Sequence, residues 1–161
     1  MPPTPAIQAA EPALDERSVR AAFGRFATGV AFVTTELDGT PLGLIVSSFA
    51  AVSLAPPLVS FCPSRDSITW QRMRHAEQFS VHVLGARYSG FVRRAAAPGA
   101  DRFAEADVLR DALTSIECDF AAEHAAGDHW IVVGRVRRLR AGPDARPLVY
   151  FAGHFGEFEP H

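Results

Sequence analysis

The chain has 161 residues, of which 48% are hydrophobic and 21% charged, and its formal net charge is -2 at pH 7. This length suits one domain with a substantial core, and the composition is ordinary for a globular protein. The slightly negative charge argues against a nucleic-acid-binding protein, which needs a strongly basic face. All 16 basic residues are arginine, which excludes Schiff-base chemistry and the phosphate-binding lysine of a P-loop.

The first 14 residues contain four prolines and no sustained apolar run. We expect residues 1–14 to form a flexible arm and residues 15–161 to form a single domain. No segment has the basic and apolar regions of a secretory signal, or the roughly 20 apolar residues of a membrane span. The two cysteines, Cys62 and Cys118, lie in apolar segments and are expected to be reduced thiols. These features predict a cytoplasmic protein.

A helical pattern begins at Asp15. Apolar residues then recur at the spacing of one helix face, which predicts a buried stripe. The stripe consists of Val19, Ala22, Phe23 and Phe26. Asp15 or Ser18 can cap the start of this helix, and Gly29 can end it.

The rest of the chain has mainly the pattern of short strands. Strands are predicted at 30–36, 42–46, 50–52, 58–62, 79–84, 113–121, 130–140 and 148–151, and helices at 68–74, 87–94 and 101–111. Asp38-Gly39, between the first two strands, is a hairpin turn signal. Evenly spaced short strands with turn-length links predict a mainly β fold, a closed or nearly closed antiparallel barrel with helices outside it. No GxGxxG motif follows a strand, which disfavours a doubly wound dinucleotide fold.

Two apolar runs between residues 42 and 70 each end in hydroxyl-bearing residues. The polar residues at the two ends are Ser47, Ser48, Ser64, Arg65, Ser67 and Thr69. If the two strands are neighbours, their ends form a polar rim above an apolar floor. Such a rim suits a flavin, because hydroxyls and one Arg can bind phosphate while apolar walls cover the rings. Ser47 and Ser48 could instead bond their own turn backbone, and Arg65 could simply be solvated.

Six segments carry a resemblance to a known family. They are 26–35 (FATGVAFVTT), 43–62 (GLIVSSFAAVSLAPPLVSFC), 67–70 (SITW), 101–103 (DRF), 127–136 (GDHWIVVGRV) and 147–154 (PLVYFAGH). In this order they resemble the short-chain flavin reductase family, the reductase components of two-component flavin-dependent monooxygenases. The resemblance covers roughly residues 18–158.

The resemblance implies an FMN-binding split β-barrel, present as a homodimer. It also implies that FAD or FMN is reduced with NADH or NADPH, and that reduced flavin passes to a separate monooxygenase. Residue pattern and resemblance together give these expected cofactor-binding residues: Thr28, Gly29, Ser47, Ser48, Phe49, Cys62, Ser64, Arg65, Ser67, Thr69, Arg102, Phe103, His129, His154 and Phe155. His129 and His154 resemble the family's nicotinamide-side positions, and Phe155 could stack on the nicotinamide.

Hydride passes directly between the two cofactors, so we expect no catalytic side chain. The His and Cys residues are not at zinc-ligand spacing, and no metal site is expected. Two features depart from the family pattern. His82 stands where the family usually has Asn, and the connection from Phe103 to Leu113 is shorter than usual. A short cover over the site favours flavin as a diffusing substrate.

Two other functions stay open at this point. The same barrel could be a flavin-binding carrier or redox sensor without turnover, because a fold does not determine a function. The chain could also be a relative of the pyridoxamine-phosphate oxidases, although the absence of lysine disfavours this alternative.

Overall fold

The computed structural model describes residues 14–105, 107–143 and 145–161. The helices are α1 (Glu16–Phe23), α2 (Ile68–Met73), α3 (Ser89–Ala95) and α4 (Asp107–Arg110), with a 3₁₀ turn at Ala86–Tyr88. The strands are β1 (Thr28–Gly29), β2 (Ala31–Leu37), β3 (Thr40–Val46), β4 (Ala50–Leu54), β5 (Pro57–Phe61), β6 (Gln78–Val83), β7 (Thr114–Ala126), β8 (His129–Ala141), β9 (Leu148–Phe151) and β10 (His154–Glu157). The expected arm lies outside the described residues except for Leu14, so the domain boundary at residue 15 stays a prediction. Within the described ranges, every helix is too short or too polar to cross a bilayer.

Seven strands form one antiparallel sheet in the order β3-β2-β6-β7-β8-β5-β4, and β1, β9 and β10 form a second, small sheet. The prediction of a mainly β fold with flanking helices is confirmed. Of a closed or nearly closed barrel, the fully closed form is wrong and the split form implied by the resemblance is confirmed, because no ladder among the described strands joins β3 to β4. These two strands are the edges of the large sheet, so the barrel is split between them.

Strand β2 shows why the fold has two apolar cores. Successive side chains of a strand point to opposite faces, and both faces of β2 are buried. Val33 packs in a core with Trp70 and Met73 of α2. Phe32 packs in a second core with Phe91 of α3, on the other face of the sheet. The large sheet therefore has α2 on one side and α3 on the other.

The first helix differs from the prediction. Asp15 caps it as expected, since its carboxylate accepts the Ser18 N–H at 2.9 Å. The helix ends at Phe23 with Gly24 as its C-cap, not at Gly29, because residues 28–29 pair with β9. No residue of α1 is buried, and the prediction of a buried stripe is wrong: Phe23 is 75% exposed.

The other elements follow the sequence pattern in part. Asp38 and Gly39 have positive φ angles of 51° and 74°, as a tight hairpin turn between β2 and β3 requires. The helix predicted at 101–111 is reduced to α4. Before α4 the Asp101 carboxylate accepts the Phe103 N–H at 2.9 Å, and this bond favours a turn over a helix. Strand β10 was not predicted from the sequence.

Candidate functional site

The ends of β3 and β5 meet at the split in the barrel. These strands are not paired in the sheet, so the expected neighbour relation is wrong, but their ends are still joined. Ser48 lies in the bend between β3 and β4, and its hydroxyl oxygen accepts the Cys62 N–H at 2.8 Å. Burial raises the pKa of the Cys62 thiol above its ordinary value, which keeps this side chain neutral.

A second pair of segments meets beside this junction. The chain after β5 forms an isolated bridge between Ser64 and His129, at the start of β8. A hydrogen bond to Asp128 orients the His129 ring, since His129 Nδ1 lies 2.8 Å from the Asp128 carboxylate. This hydrogen bond holds the pKa of the Asp128 carboxyl below its ordinary value. With Nδ1 engaged, Nε2 is left for a ligand.

These segments enclose a cleft of about 950 Å³, which we call the split cleft. Predicted site residues that line it are Ser47, Ser48, Cys62, Ser64, Ser67 and His129. An adjoining cavity of about 1050 Å³ shares Ser47 and His129 with the split cleft and adds Thr28 and Tyr150. Both volumes suit a ligand of nucleotide size. Four residues of the predicted rim, Ser47, Ser48, Ser64 and Ser67, therefore line one cleft, whereas Arg65 and Thr69 do not line it, and the predicted site residue Thr28 lines the adjoining cavity.

The hydroxyls of this site have different surroundings. Ser64 and Ser67 each accept a backbone N–H, from Asp66 at 3.2 Å and from Trp70 at 3.1 Å. Each therefore keeps its own proton for donation to a ligand. The Thr28 hydroxyl oxygen is buried and has no hydrogen-bond partner within the described ranges. A buried polar atom is normally satisfied, so Thr28 points to a ligand contact.

Helix α1 contributes residues to the site that the sequence prediction missed. Val19, Arg20 and Phe23 line the split cleft, and Arg20 and Phe23 also line the adjoining cavity. Arg20 pairs with Glu16 at 2.6 Å on the exposed helix surface. For Val19 and Phe23 the signal is the apolar stripe, which the sequence pattern places in the core, whereas Arg20 lies off that stripe and has no such signal.

Several predicted site residues lie elsewhere in this chain. Arg102 donates from Nε to the Ala95 carbonyl at 3.0 Å, and the Phe103 ring packs on Phe32 with 5.5 Å between ring centres. Phe103 also borders a separate cavity of about 690 Å³. The proposed cofactor role of Arg102 and Phe103 stays a prediction.

The remaining predicted residues do not line the split cleft. Gly29 pairs with Val149, Phe49 packs against the core, and Thr69 lies in the first turn of α2. On β10, the His154 ring lies 2.9 Å from the Ala152 carbonyl. The neighbouring ring of Phe155 packs on Tyr150 with 5.3 Å between centres. Their roles are not tested by this geometry.

Comparison with known proteins gives a consistent picture. Residues 23–159 match a family model described as flavin reductase like domain. The chain is 37% identical over 157 residues to the reductase subunit of a flavin-dependent monooxygenase from Rhodococcus jostii, an alignment covering 92% of this chain and 80% of that protein. It is 39% identical over 153 residues to an FMN reductase (NADH) from Agrobacterium fabrum, covering 89% of this chain and 87% of that protein.

One solved structure with a similar fold contains two bound ligands of its own. The NADH:FAD oxidoreductase of Streptomyces globisporus, in complex with NAD and FAD fragments, superposes with a TM-score of 0.83 at 31% identity, covering 91% of this chain and 94% of that chain. The similarity therefore extends over nearly all of both chains.

Proposed function

We propose the following function for this chain, which belongs to the flavin reductase like domain family. In this proposal the protein is an oxidoreductase that uses NADH to reduce FAD or FMN, and it supplies the reduced flavin to a separate monooxygenase. One observation carries the proposal: the split cleft joins hydroxyl donors, the Arg20–Glu16 ion pair and the Asp128–His129 pair to an apolar wall. Relatives with reductase activity in their names support the same assignment.

The groups of the cleft fit a flavin. Ser64 and Ser67 can donate to the oxygens of the ribityl chain or phosphate. Arg20 lines the same cleft, and its exposed ion pair with Glu16 would have to open for its guanidinium to bind the phosphate. Phe23 supplies apolar surface for the rings. Thr28 lines the same cavity, and its buried hydroxyl can form a hydrogen bond with the ligand. The lining of the cleft thus combines polar groups with apolar surface, as a flavin nucleotide combines a polar tail with apolar rings.

The chemistry of this reaction resides in the cofactors, because hydride moves from the nicotinamide to the flavin when both are bound. The chain then has to bind and align the two ring systems. His129, oriented by Asp128, can hydrogen-bond the amide or ribose of the nicotinamide nucleotide. Backbone N–H groups at the Ser47–Phe49 bend can stabilise negative charge that develops on the flavin.

The two histidines proposed for the nicotinamide side are separable by mutation. His129 lines the split cleft, whereas His154 lies on β10 outside its lining. We expect His129→Ala to raise the KM for NADH about tenfold with little change in flavin affinity. His154→Ala is the matched control, with a smaller expected effect. Steady-state kinetics with varied NADH measures both, and equal KM values in His129→Ala and wild type would remove His129 from the site.

Kinetics with all four cofactor pairs test the proposed activity. Purified protein is supplied with FAD or FMN and with NADH or NADPH, and the loss of reduced nicotinamide is followed. We expect sustained turnover with NADH and at least one flavin. Absence of turnover with every pair would reject the reductase assignment.

We also propose that the protein is a homodimer. The support is apolar surface that one chain leaves exposed, since Phe26 is 78% and Leu54 is 94% exposed. Sedimentation equilibrium is expected to give twice the mass of one chain, and a single-chain mass at all concentrations would reject the dimer.

The proposed setting is the cytoplasm, with a flavin-dependent monooxygenase as the acceptor of reduced flavin. Cys62 and Cys118 are both free thiols, which suits a reducing compartment. The acceptor is proposed from the relatives that are reductase subunits of such monooxygenases.

A further inference from the structure

Two segments that are distant in sequence form the wall of the split cleft around His129. We call residues 63–67 the serine segment and residues 127–130 the β8 turn. The Arg65 N–H donates to the Asp128 carbonyl at 2.9 Å, and the Trp130 N–H donates to the Pro63 carbonyl at 2.9 Å. These two bonds set the distance between the serine hydroxyls and His129.

An indole ring lies where the two segments join. The guanidinium carbon of Arg65 lies 5.1 Å from the Trp130 ring centre, and that of Arg74 lies 4.9 Å from it. Both distances are within the range of about 6 Å for a cation–π contact. Arg65 also donates from Nη1 to the Gly127 carbonyl at 3.3 Å. We call Trp130, Arg65 and Arg74 the tryptophan clamp.

A carboxylate on the neighbouring strand holds one side of this clamp. Glu123 of β7 accepts the Trp70 Nε1–H at 2.9 Å and forms an ion pair with Arg74. Trp70 is in α2 and Arg74 is the C-cap of this helix, so Glu123 attaches α2 to the β7–β8 hairpin. Ser67 is the N-cap of the same helix, and its position follows that of α2.

We propose that Trp130 is a positioning residue for flavin binding. Its ring binds Arg65 of the serine segment and Arg74 of α2, and so holds Ser64 and Ser67 at a fixed distance from His129. This inference rests on the proposed function, because it assigns a support to the same cleft. It also gives Arg65 a role other than phosphate binding, since its guanidinium is engaged by Trp130 and Gly127.

The test compares Trp130→Leu, which removes the π face, with Trp130→Phe, which keeps one. Flavin affinity is measured by titration calorimetry, and the KM for flavin, the KM for NADH and kcat by steady-state kinetics. We expect Trp130→Leu to bind flavin about tenfold more weakly, since two cation–π contacts are lost. Its KM for NADH should stay close to wild type, because the bond between His129 and Asp128 is kept. Trp130→Phe should recover most of the affinity.

A second readout reports on the clamp without flavin. Amide hydrogen exchange of the apoprotein follows the Arg65 and Trp130 N–H groups directly. Exchange at both should be faster in Trp130→Leu than in wild type and near normal in Trp130→Phe. Ile131→Ala is the matched control, because Ile131 is the next residue of β8 and lies outside the clamp. It should change neither exchange nor affinity.

The outcomes separate the two claims. Unchanged exchange and affinity in a folded Trp130→Leu, or an equal loss in Trp130→Phe, would overturn the positioning role. If Trp130→Leu does not fold, Arg74→Gln decides: a loss of affinity of a few fold supports the clamp, and wild-type affinity overturns it. A wild type that binds neither FAD nor FMN overturns the proposed function, and the exchange data then show whether the clamp itself exists.

Discussion

The adjacent hydroxyls of Ser47 and Ser48 are predicted to have different roles. Ser48 is partly buried and satisfies the Cys62 N–H at 2.8 Å, whereas Ser47 is exposed in both cavities. Ser48→Ala should lower the free energy of unfolding by about 1 kcal/mol, because a backbone donor loses its partner. Ser47→Ala should leave it nearly unchanged. Urea unfolding measures both values, and equal losses would contradict this division.

Flavin titration of the same two variants completes that comparison. Ser47→Ala should weaken flavin binding without loss of stability, because its hydroxyl is available to a ligand. Ser48→Ala should weaken both, because the bend that carries the neighbouring N–H groups loses its attachment to β5. Wild-type flavin affinity in both variants would remove the bend from the site.

His82 is the basis of a pH prediction. Its Nε2 lies 3.0 Å from the Thr34 hydroxyl and its Nδ1 lies 3.0 Å from Ser115, which also accepts a hydrogen bond from Arg140. Burial, and second the charge of Arg140, lower the pKa of His82 from 6.5 to about 4. Between these values the unfolded chain binds a proton that the folded chain does not. Stability is therefore complete above pH 6.5 and falls as the pH drops towards 4, by roughly 3 kcal/mol in total.

The control for this prediction is His82→Asn, which cannot titrate. Urea unfolding between about pH 7 and about pH 5 should show a steeper loss of stability in wild type than in the variant. Parallel pH profiles would contradict a neutral, buried His82.

The sequence pattern predicts serines that the structure brings to one cleft, but it also predicts residues that lie elsewhere. Ser47, Ser48 and Ser64 were found because strand ends are visible locally as apolar runs that stop at small polar residues. The position of Arg102 depends on its bond to Ala95 in another element. A single-sequence pattern carries no information on such a contact.

Strand β8 needs a glycine at position 134, where it packs against Phe79 of β6 and Cys118 of β7. A Cβ on Gly134 would lie 2.9 Å from Phe79 Cε1 and 3.1 Å from Cys118 Cβ. Gly134→Ala should therefore lower the free energy of unfolding by about 1–3 kcal/mol through overpacking. Gly156→Ala in β10 is the control, because its Cβ would meet nothing within 4 Å. Thermal melts of the two variants should differ clearly, and equal melting temperatures would contradict the packing.

Helix α1 shows how an element can be predicted correctly and placed wrongly. Its capping by Asp15 and its apolar face are both local properties, and both are visible in the sequence. The same face can cover a core or border a cleft, and periodicity does not distinguish the two. In this chain Val19 and Phe23 border the split cleft, which makes α1 part of the site.

The split of the barrel is a property of the complete fold. The Asp38-Gly39 turn fixes the β2–β3 pair locally, whereas the open edges at β3 and β4 result from pairings between strands that are far apart in the chain. Mainly β character could therefore be predicted from the pattern, whereas β1 and β10 could not, and the split was implied only by the family resemblance. The split cleft lies at this opening, so the same missing pairing between β3 and β4 leaves the barrel open and makes room for the cleft.

Anaerobic flavin reduction at low protein concentration is the measurement that tests the proposed activity most directly. FAD or FMN is supplied in large excess over the protein and NADH in excess over the flavin, and the moles of flavin reduced per mole of protein are counted. A diffusing-substrate reductase should reduce nearly all the flavin, many equivalents per chain. Reduction that stops at one equivalent, or does not occur, would contradict the reductase assignment, and a stop at one equivalent would indicate a carrier.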